Sequence, residues 1–447
     1  MKTTRYARRV GLVAVGTLVA VSFAACTSGA ATGGFSDSAP SKLTGTVSLW
    51  HTFTDREAKA VSDVVAGFEK ANPGVKVEIH SGQDDDKMTK KIASGSDIDV
   101  VISGSTDNLG LFCSSGAWLN LGKVIKRDHV DMNQFPAISR DYTSFQGNQC
   151  SLPLLADVYG LYYNTDQLAA AGYTQPPKTL DELETMALKL TTYNADGSIK
   201  TLGYDPLIGT YHNYPRGYAP AAAATWMDSK GQSDLADQPG WKELMTWQKA
   251  FVDKIGYDKL KTFISGLGQE YAADNPFQTG KISMAIDGEW RVGFLADQAP
   301  SLKYDTAPFP TAADHTDLYG GGYVSGTVAG IAKGSTHAEL AWALLKYLTT
   351  NTAAVVKLSN GLYNVPTTEA ALKSPDLSFP KQFDTFLQIL GNKNVSTNPA
   401  TAIGETNQTT FGDYWDKWQQ GNGGDLDAGL KDVDKTINQA IQLSAQP

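Results

Sequence analysis

The sequence predicts an α/β protein built from about two to three compact units. Two observations carry this. Strand-like and helix-like runs alternate as β-α-β-α-β from Val47 to Ser103 with short links, which argues for parallel strands in an open, doubly wound sheet. The chain also has 447 residues, more than one hydrophobic core organises, and domain-sized units run to roughly 100–200 residues.

The elements follow in order. Val47 and Leu49 alternate as in a strand. Thr54 with Glu57 three residues later predicts a capping box, followed by a helix whose inner face is Val61, Val64, Val65 and Phe68. Asn72-Pro73-Gly74 stops it, and Val75 to His80 is the next strand. "DDDKMTKKIASG" is a helix, its Asp84 to Lys87 a solvated start; the alternating ligand spacing of a calcium loop is missing. Ile98 to Ser103 is the third strand. In such sheets ligands bind beyond the carboxyl ends of the strands. Those ends are Trp50-His51-Thr52, Ser81-Gly82-Gln83 and Ser103 to Asp107, a polar and aromatic rim.

Further on, Ser151 to Leu190 reads strand, helix, Pro-containing loop and helix, with a second capping box at Thr179 and Glu182. Gly203 to Trp226 is loop-like and rich in aromatics, and Trp241 to Asp253 is an amphipathic helix. "KISMAI" is a strand that breaks at Asp287-Gly288 with Trp290 beyond the turn. A Gly-rich run from Gly320 leads into another strand, "HAELAWALLKYLTT" is a helix, and the tail ends in an amphipathic helix. No internal repeat is present.

The N-terminus has the form of a secretion signal. Lys2, Arg5, Arg8 and Arg9 precede the apolar run Val10 to Ala25, which falls short of the ~20 residues of a membrane span. "FAAC" resembles a lipoprotein cleavage box, with Phe23 where Leu is usual; it implies cleavage after residue 25 and lipid on Cys26, against plain secretion. Residues 26–42 then form a small, polar, flexible tether. Cys113 and Cys150 remain as an even pair in an oxidising compartment, which favours a disulfide over two separate buried thiols. A net charge of −9, more acidic still without the leader, excludes nucleic acid or an anionic membrane surface as the main partner.

Several stretches occur together in one order: "LWHTF…FEKANPGVKV", "GSDIDVVIS", "LPLLADVYGLYYNTD…AGYTQPPKTLDEL", "FQTGKISMAIDGEW" and "GGGYVSGTVAGIAKGSTHAELAWALLKYL" followed by "NVP". The set resembles the extracytoplasmic solute-binding proteins of ABC importers, in the sugar-capturing, maltose-binding-like group. Ile98-Asp99 stands where that family usually has Pro-Asp. The resemblance implies a two-lobed, type II periplasmic-binding-protein fold with discontinuous lobes joined by hinge strands. It puts crossings near Leu155–Tyr159 and Tyr323–Thr327, with lobe one at 43–155 plus 326–375 and lobe two at 158–322 plus 376–447. It implies a monomeric carrier held outside the cell, a carbohydrate ligand, permease partners in the membrane and a cytoplasmic ATPase that drives release. No cofactor or metal is expected.

The resemblance also supplies site residues. Trp290 is expected to stack on a sugar ring, an indole being a rigid plane suited to the apolar C–H face of a pyranose. Asp157 is expected on a sugar hydroxyl, where a carboxylate accepts strong hydrogen bonds, and Glu289, adjoining the Trp, is a further ligand-binding candidate. His51, Thr52 and Phe53 follow the first strand, and Asp107 follows the third. Tyr211, Asn213 and Tyr214, with His212 between them, line the second lobe. Gly322 and Tyr323 border a hinge, and Phe411 and Trp415 form a second aromatic wall or pack in the core.

Two other readings stand beside this one. A glycoside hydrolase would need two carboxylates about 5–10 Å apart, for which Asp157, Asp287 and Glu289 could serve. A polyamine or glycerol-phosphate ligand would keep the fold; a phosphate would want convergent Arg or Lys, and only Arg216 and Arg291 are near the rim.

Overall fold

The computed structural model describes residues 34–95 and 97–444. The expected signal peptide and Cys26 lie outside the described residues. Ten strands occur among those described: β1 (Gly45–His51), β2 (Val75–His80), β3 (Val100–Ser103), β4 (Ser151–Asn164), β5 (Thr192–Tyr193), β6 (Ile199–Tyr204), β7 (Ile282–Gly288), β8 (Tyr304–Ala307), β9 (Val324–Ile331) and β10 (Val365–Pro366). They run in the order β2-β1-β3-β9-β4-β7-β6-β5, with β8 and β10 also paired to β4.

The predicted β-α-β-α-β unit is present. β1 lies parallel to β2 on one side and β3 on the other, with Leu49 opposite both Ile79 and Val100. Its Val47 and Leu49 are wholly buried. The helix Asp55–Ala71 buries Val61, Val64, Val65 and Phe68, the stripe its spacing announces. These residues share a core with the helices Ala338–Thr350 and Thr352–Leu362. A second core joins β6 and β7 to the helices Leu180–Leu190, Pro239–Ile255, Thr406–Gln419 and Leu426–Ser444. These two cores are the two lobes.

β4 belongs to both. Its residues from Ser151 to Val158 pair antiparallel with β9, the last pair being Val158 with Val324. From Tyr159 it pairs with β7 instead, beginning with Gly288. Pro153 has no N–H to give the ladder, and the β4–β9 register shifts between Pro153 and Leu155. Beneath the crossover a third cluster, with Val158, Tyr162, Val324, Phe383 and Ile389, packs against elements of both lobes.

Three local expectations are corrected. Thr54 is the N-cap of its helix but its side chain caps nothing. Asp55 turns the chain with φ 48°, and Glu57 lies 3.6 Å from Arg56 instead of reaching back. The box at Thr179 and Glu182 does form. The third strand starts at Val100, two residues late, because Asp99 is taken up by side-chain bonds to Ser48 and Ser335. The tether is pinned at its end: Ser36 N–H and Oγ donate to Glu339, Lys123 Nζ donates to the Phe35 carbonyl, and Asp37 pairs with Lys123. Cys113 and Cys150 are bridged, with Cα atoms 5.6 Å apart.

Candidate functional site

A cavity of about 610 Å³ lies where the strand ends of the two lobes meet. From lobe one come Thr52 and Phe53 after β1, Arg56 and Glu57 at the following helix, and Ser105 and Asp107 after β3. The crossover supplies Asp157, Tyr159, Tyr323 and Ser325. Lobe two supplies His212, Arg216, Tyr271, Trp290 and Phe294. Asn364, just before β10, completes the floor.

Trp290 sits at the start of the helix Arg291–Gln298, directly after β7. Its ring stands edge-on to Tyr159, with centroids 5.4 Å apart at 89°, and 5.2 Å from His212. Its Nε1 is buried and has no acceptor among the described residues. Gly288 makes the arrangement possible: a Cβ there would lie 2.2 Å from the indole. Arg291 fixes the turn from below, its Nε donating to Asp287 at 2.6 Å. Asp287 also lies 3.4 Å from His212 Nε2, which pairs in addition with Glu270. A buried charged pair of this kind holds geometry more than it adds stability.

A carboxyl pair, Asp157 in the floor and Glu289 behind it, lies at the base of the cavity. Asn364 Nδ2 donates to Asp157 Oδ1 at 2.7 Å and to Glu289 Oε1 at 2.9 Å. Glu289 Oε2 accepts from the Val158 N–H at 2.6 Å. Burial pushes the Asp157 carboxyl up to about 8, with the nearby Glu57 carboxyl acting in the same direction. Glu289 is raised by burial and then by Asp157. Burial also lowers His51 to about 4, so it is neutral.

Two ion pairs join the lobes across the cavity. Arg56 Nε lies 2.9 Å from Asp297, and Arg216 Nη1 lies 3.1 Å from Asp107. Both cavity arginines are thus neutralised within the protein. Beyond Asp107 and Arg216 a wider cleft of about 1340 Å³ opens.

Of the residues expected from sequence, Trp290, Asp157, Thr52, Phe53, Asp107, His212 and Tyr323 line the cavity. The others do not. Glu289 is wholly buried beneath it. His51 is buried at the end of β1. Tyr211 is turned aside by φ 45° and donates its hydroxyl to the Gly268 carbonyl. Asn213 is tied up by the Tyr204 and Tyr218 hydroxyls. Tyr214 borders the outer cleft, with the Arg216 guanidinium over its ring. Gly322 serves packing, since a Cβ would meet Ile389 and the Tyr159 carbonyl. Phe411 and Trp415 form no wall: both are fully buried against Trp241, because their helix packs on Pro239–Ile255.

Sequence reasoning missed Phe294, Tyr271, Asn364, Arg56 and Asp297. Phe294 was findable, four residues after Trp290 on one helical face. Tyr271 stands in a loop that no periodicity marks. Outside the cavity, and among the described residues, Asp97, Asp99 and His337 bring potential metal-ligand atoms within 4.8 Å of one another; Asp99 is already bonded to Ser48 and Ser335. Among the described residues no helix is long and apolar enough to cross a membrane.

Comparison with known proteins gives a consistent picture. Residues 53–355 match the family described as "Bacterial extracellular solute-binding protein". The maltotriose-binding protein of Pyrococcus abyssi is 21% identical over 342 residues, covering 74% of this chain and 69% of that one. The multiple sugar-binding protein of Streptococcus mutans is 24% identical over 362 residues, covering 77% and 79%. The structure of CpMnBP1 with mannotriose bound superposes with a TM-score of 0.78 at 24% identity, over 88% of this chain and 99% of that one.

Proposed function

The chain belongs to the bacterial extracellular solute-binding protein family, and from that premise we propose that it captures a short, neutral oligosaccharide and delivers it to its ABC importer by lobe closure. Members of this family bind and hand over solutes; the protein is not an enzyme.

One observation carries the sugar reading. The cavity presents an indole plane with a free buried N–H, Trp290, beside Tyr159 and Phe294 and above the Asp157 carboxyl. Aromatic planes match the C–H faces of a pyranose, and the carboxyl and indole N–H match its hydroxyls. The similarity to proteins named for maltotriose and multiple sugars supports the same class. A hydrolase is disfavoured, since neither Asp287 nor Glu289 lines the cavity and both are bonded internally.

Closure follows from the fold. A ligand held by Phe53 and Asp107 on one side and by Trp290 on the other bridges both lobes, so binding shifts the hinge equilibrium towards the closed form. The bends would fall on β4 near Val158 and on β9 near Val324, where the strand partners change. Lobe one then comprises 43–155 plus 326–375, and lobe two 158–322 plus 376–447. Lipid on Cys26 would hold the body at the outer face of the membrane.

A second reading has its own support. Asp55 and Glu57 beside aromatic rings also suit a polyamine cation. A glycerol phosphate is disfavoured, because Arg56 and Arg216 already have carboxylate partners. Calorimetric titration with mono- and oligosaccharides, polyamines and glycerol phosphates decides between these, with Trp fluorescence followed in parallel. Tight 1:1 binding of a saccharide is expected. Response to a polyamine alone would overturn the sugar reading and leave the fold untouched.

A further inference from the structure

Asp107, Arg216 and Gln408 form a closed ring of polar contacts across the cleft. Arg216 Nη1 lies 3.1 Å from Asp107 Oδ2 and donates to Gln408 Oε1 at 3.0 Å. Gln408 Nε2 donates to Asp107 Oδ1 at 2.7 Å. Asp107 comes from lobe one, on the loop after β3, and the other two come from lobe two. Asp107 and Arg216 line both the inner cavity and the outer cleft, whereas Gln408 lines only the outer one. The ring therefore stands at the boundary between the two spaces.

We propose that this ring is a partition that sets the length of the ligand. The inference rests on the saccharide reading of the inner cavity. A hexose unit of about eleven heavy atoms fills roughly 150–200 Å³ at the packing density of protein interiors. The inner cavity, about 610 Å³, therefore holds about three to four units at that density. A further unit that extends into the outer cleft must pass between Asp107 and Arg216. Their side chains are only 8% and 22% exposed, so separating them leaves charges poorly solvated, and a longer ligand has to offset that loss. The outer cleft has ample room once the ring opens, so it is the ring and not the outer space that limits length.

The test is calorimetry of the purified protein with malto- and manno-oligosaccharides of one to seven units. Wild type should bind best at about three to four units and lose tenfold or more in affinity beyond. The double variant D107A/R216A, which removes both charges together, should bring penta- to heptasaccharides within about threefold of the best wild-type length. Gln408→Ala, outside the inner cavity, should do so in part; should the double variant fail to fold, an unchanged profile in Gln408→Ala overturns the proposal. A flat wild-type profile, or a drop that persists in the folded double variant, overturns the partition alone. No binding of any saccharide sinks the sugar reading, and the partition with it.

Discussion

Asp157 and Glu289 share a single donor: the Asn364 amide reaches both carboxyls, at 2.7 and 2.9 Å, at the point where β4 passes from one lobe to the other. Two buried acids bridged by one neutral amide cannot both ionise cheaply.

The pH dependence of stability follows. Both carboxyls are raised in the folded state, Asp157 to about 8 from an ordinary 3.8. The native state thus binds more protons than the unfolded chain between about pH 4 and 8, so this pair's contribution is complete below about pH 4 and is lost as pH rises through 8. Asp157→Asn keeps an acceptor for Asn364 and cannot ionise. It should gain on wild type by on the order of 1–3 kcal/mol between pH 5 and pH 8.5. Denaturant unfolding at the two pH values measures this; a constant difference would show that the pair does not titrate.

Gly288 and Trp290 give a binding prediction. Trp290→Ala should weaken ligand binding by about 2 kcal/mol or more, as removal of a central aromatic anchor does. Gly288→Ala should act through the same ring, since the new methyl would overlap the indole at 2.2 Å and displace it. We expect at least tenfold weaker binding in each, with the fluorescence response lost in the first and altered in the second. Wild-type affinity in Gly288→Ala would show that the indole position is immaterial.

The Cys113–Cys150 bridge spans a sequence separation of 37. Loop-closure entropy for such a span amounts to about 3–4 kcal/mol. The double Cys→Ala variant should lose on that order in unfolding free energy, and wild type should lose a similar amount under reductant. Melting curves with and without reductant check it. Insensitivity of both would mean that the surrounding core, with Phe112 and Trp118, holds the segment unaided.

What the sequence made legible was local. The helix stripe Val61, Val64, Val65 and Phe68 and the strand Val75–His80 could be read because period and stop signals sit within a few residues. Trp290 was legible as a large aromatic just past a strand. Glu289 was misplaced because neighbours after a strand end point different ways, and only the β4 backbone decides which one is buried. Phe411 and Trp415 were ambiguous because an amphipathic helix does not name the face it packs on. Arg56 and Asp297 are 241 positions apart in sequence, and no local pattern pairs them.

That last pair allows a graded prediction. Arg56 does three things: its Nε meets Asp297 at 2.9 Å, its Nη1 donates to the Gly361 carbonyl at 2.6 Å, and its guanidinium lies over Phe294 and Tyr363. Asp297 makes the ion pair from a side chain half exposed to solvent, where such a pair is worth roughly 0–1 kcal/mol. Asp297→Asn should therefore cost less than about 1 kcal/mol of stability, fading at high salt, and should weaken ligand binding about two- to fivefold by loosening the closed form. Arg56→Ala removes the carbonyl bond and both ring contacts as well, and should cost on the order of 2 kcal/mol with little salt dependence. Denaturant midpoints at low and high salt separate the two variants. Equal losses would mean that the ion pair, and not the contacts to Gly361, Phe294 and Tyr363, is what Arg56 contributes.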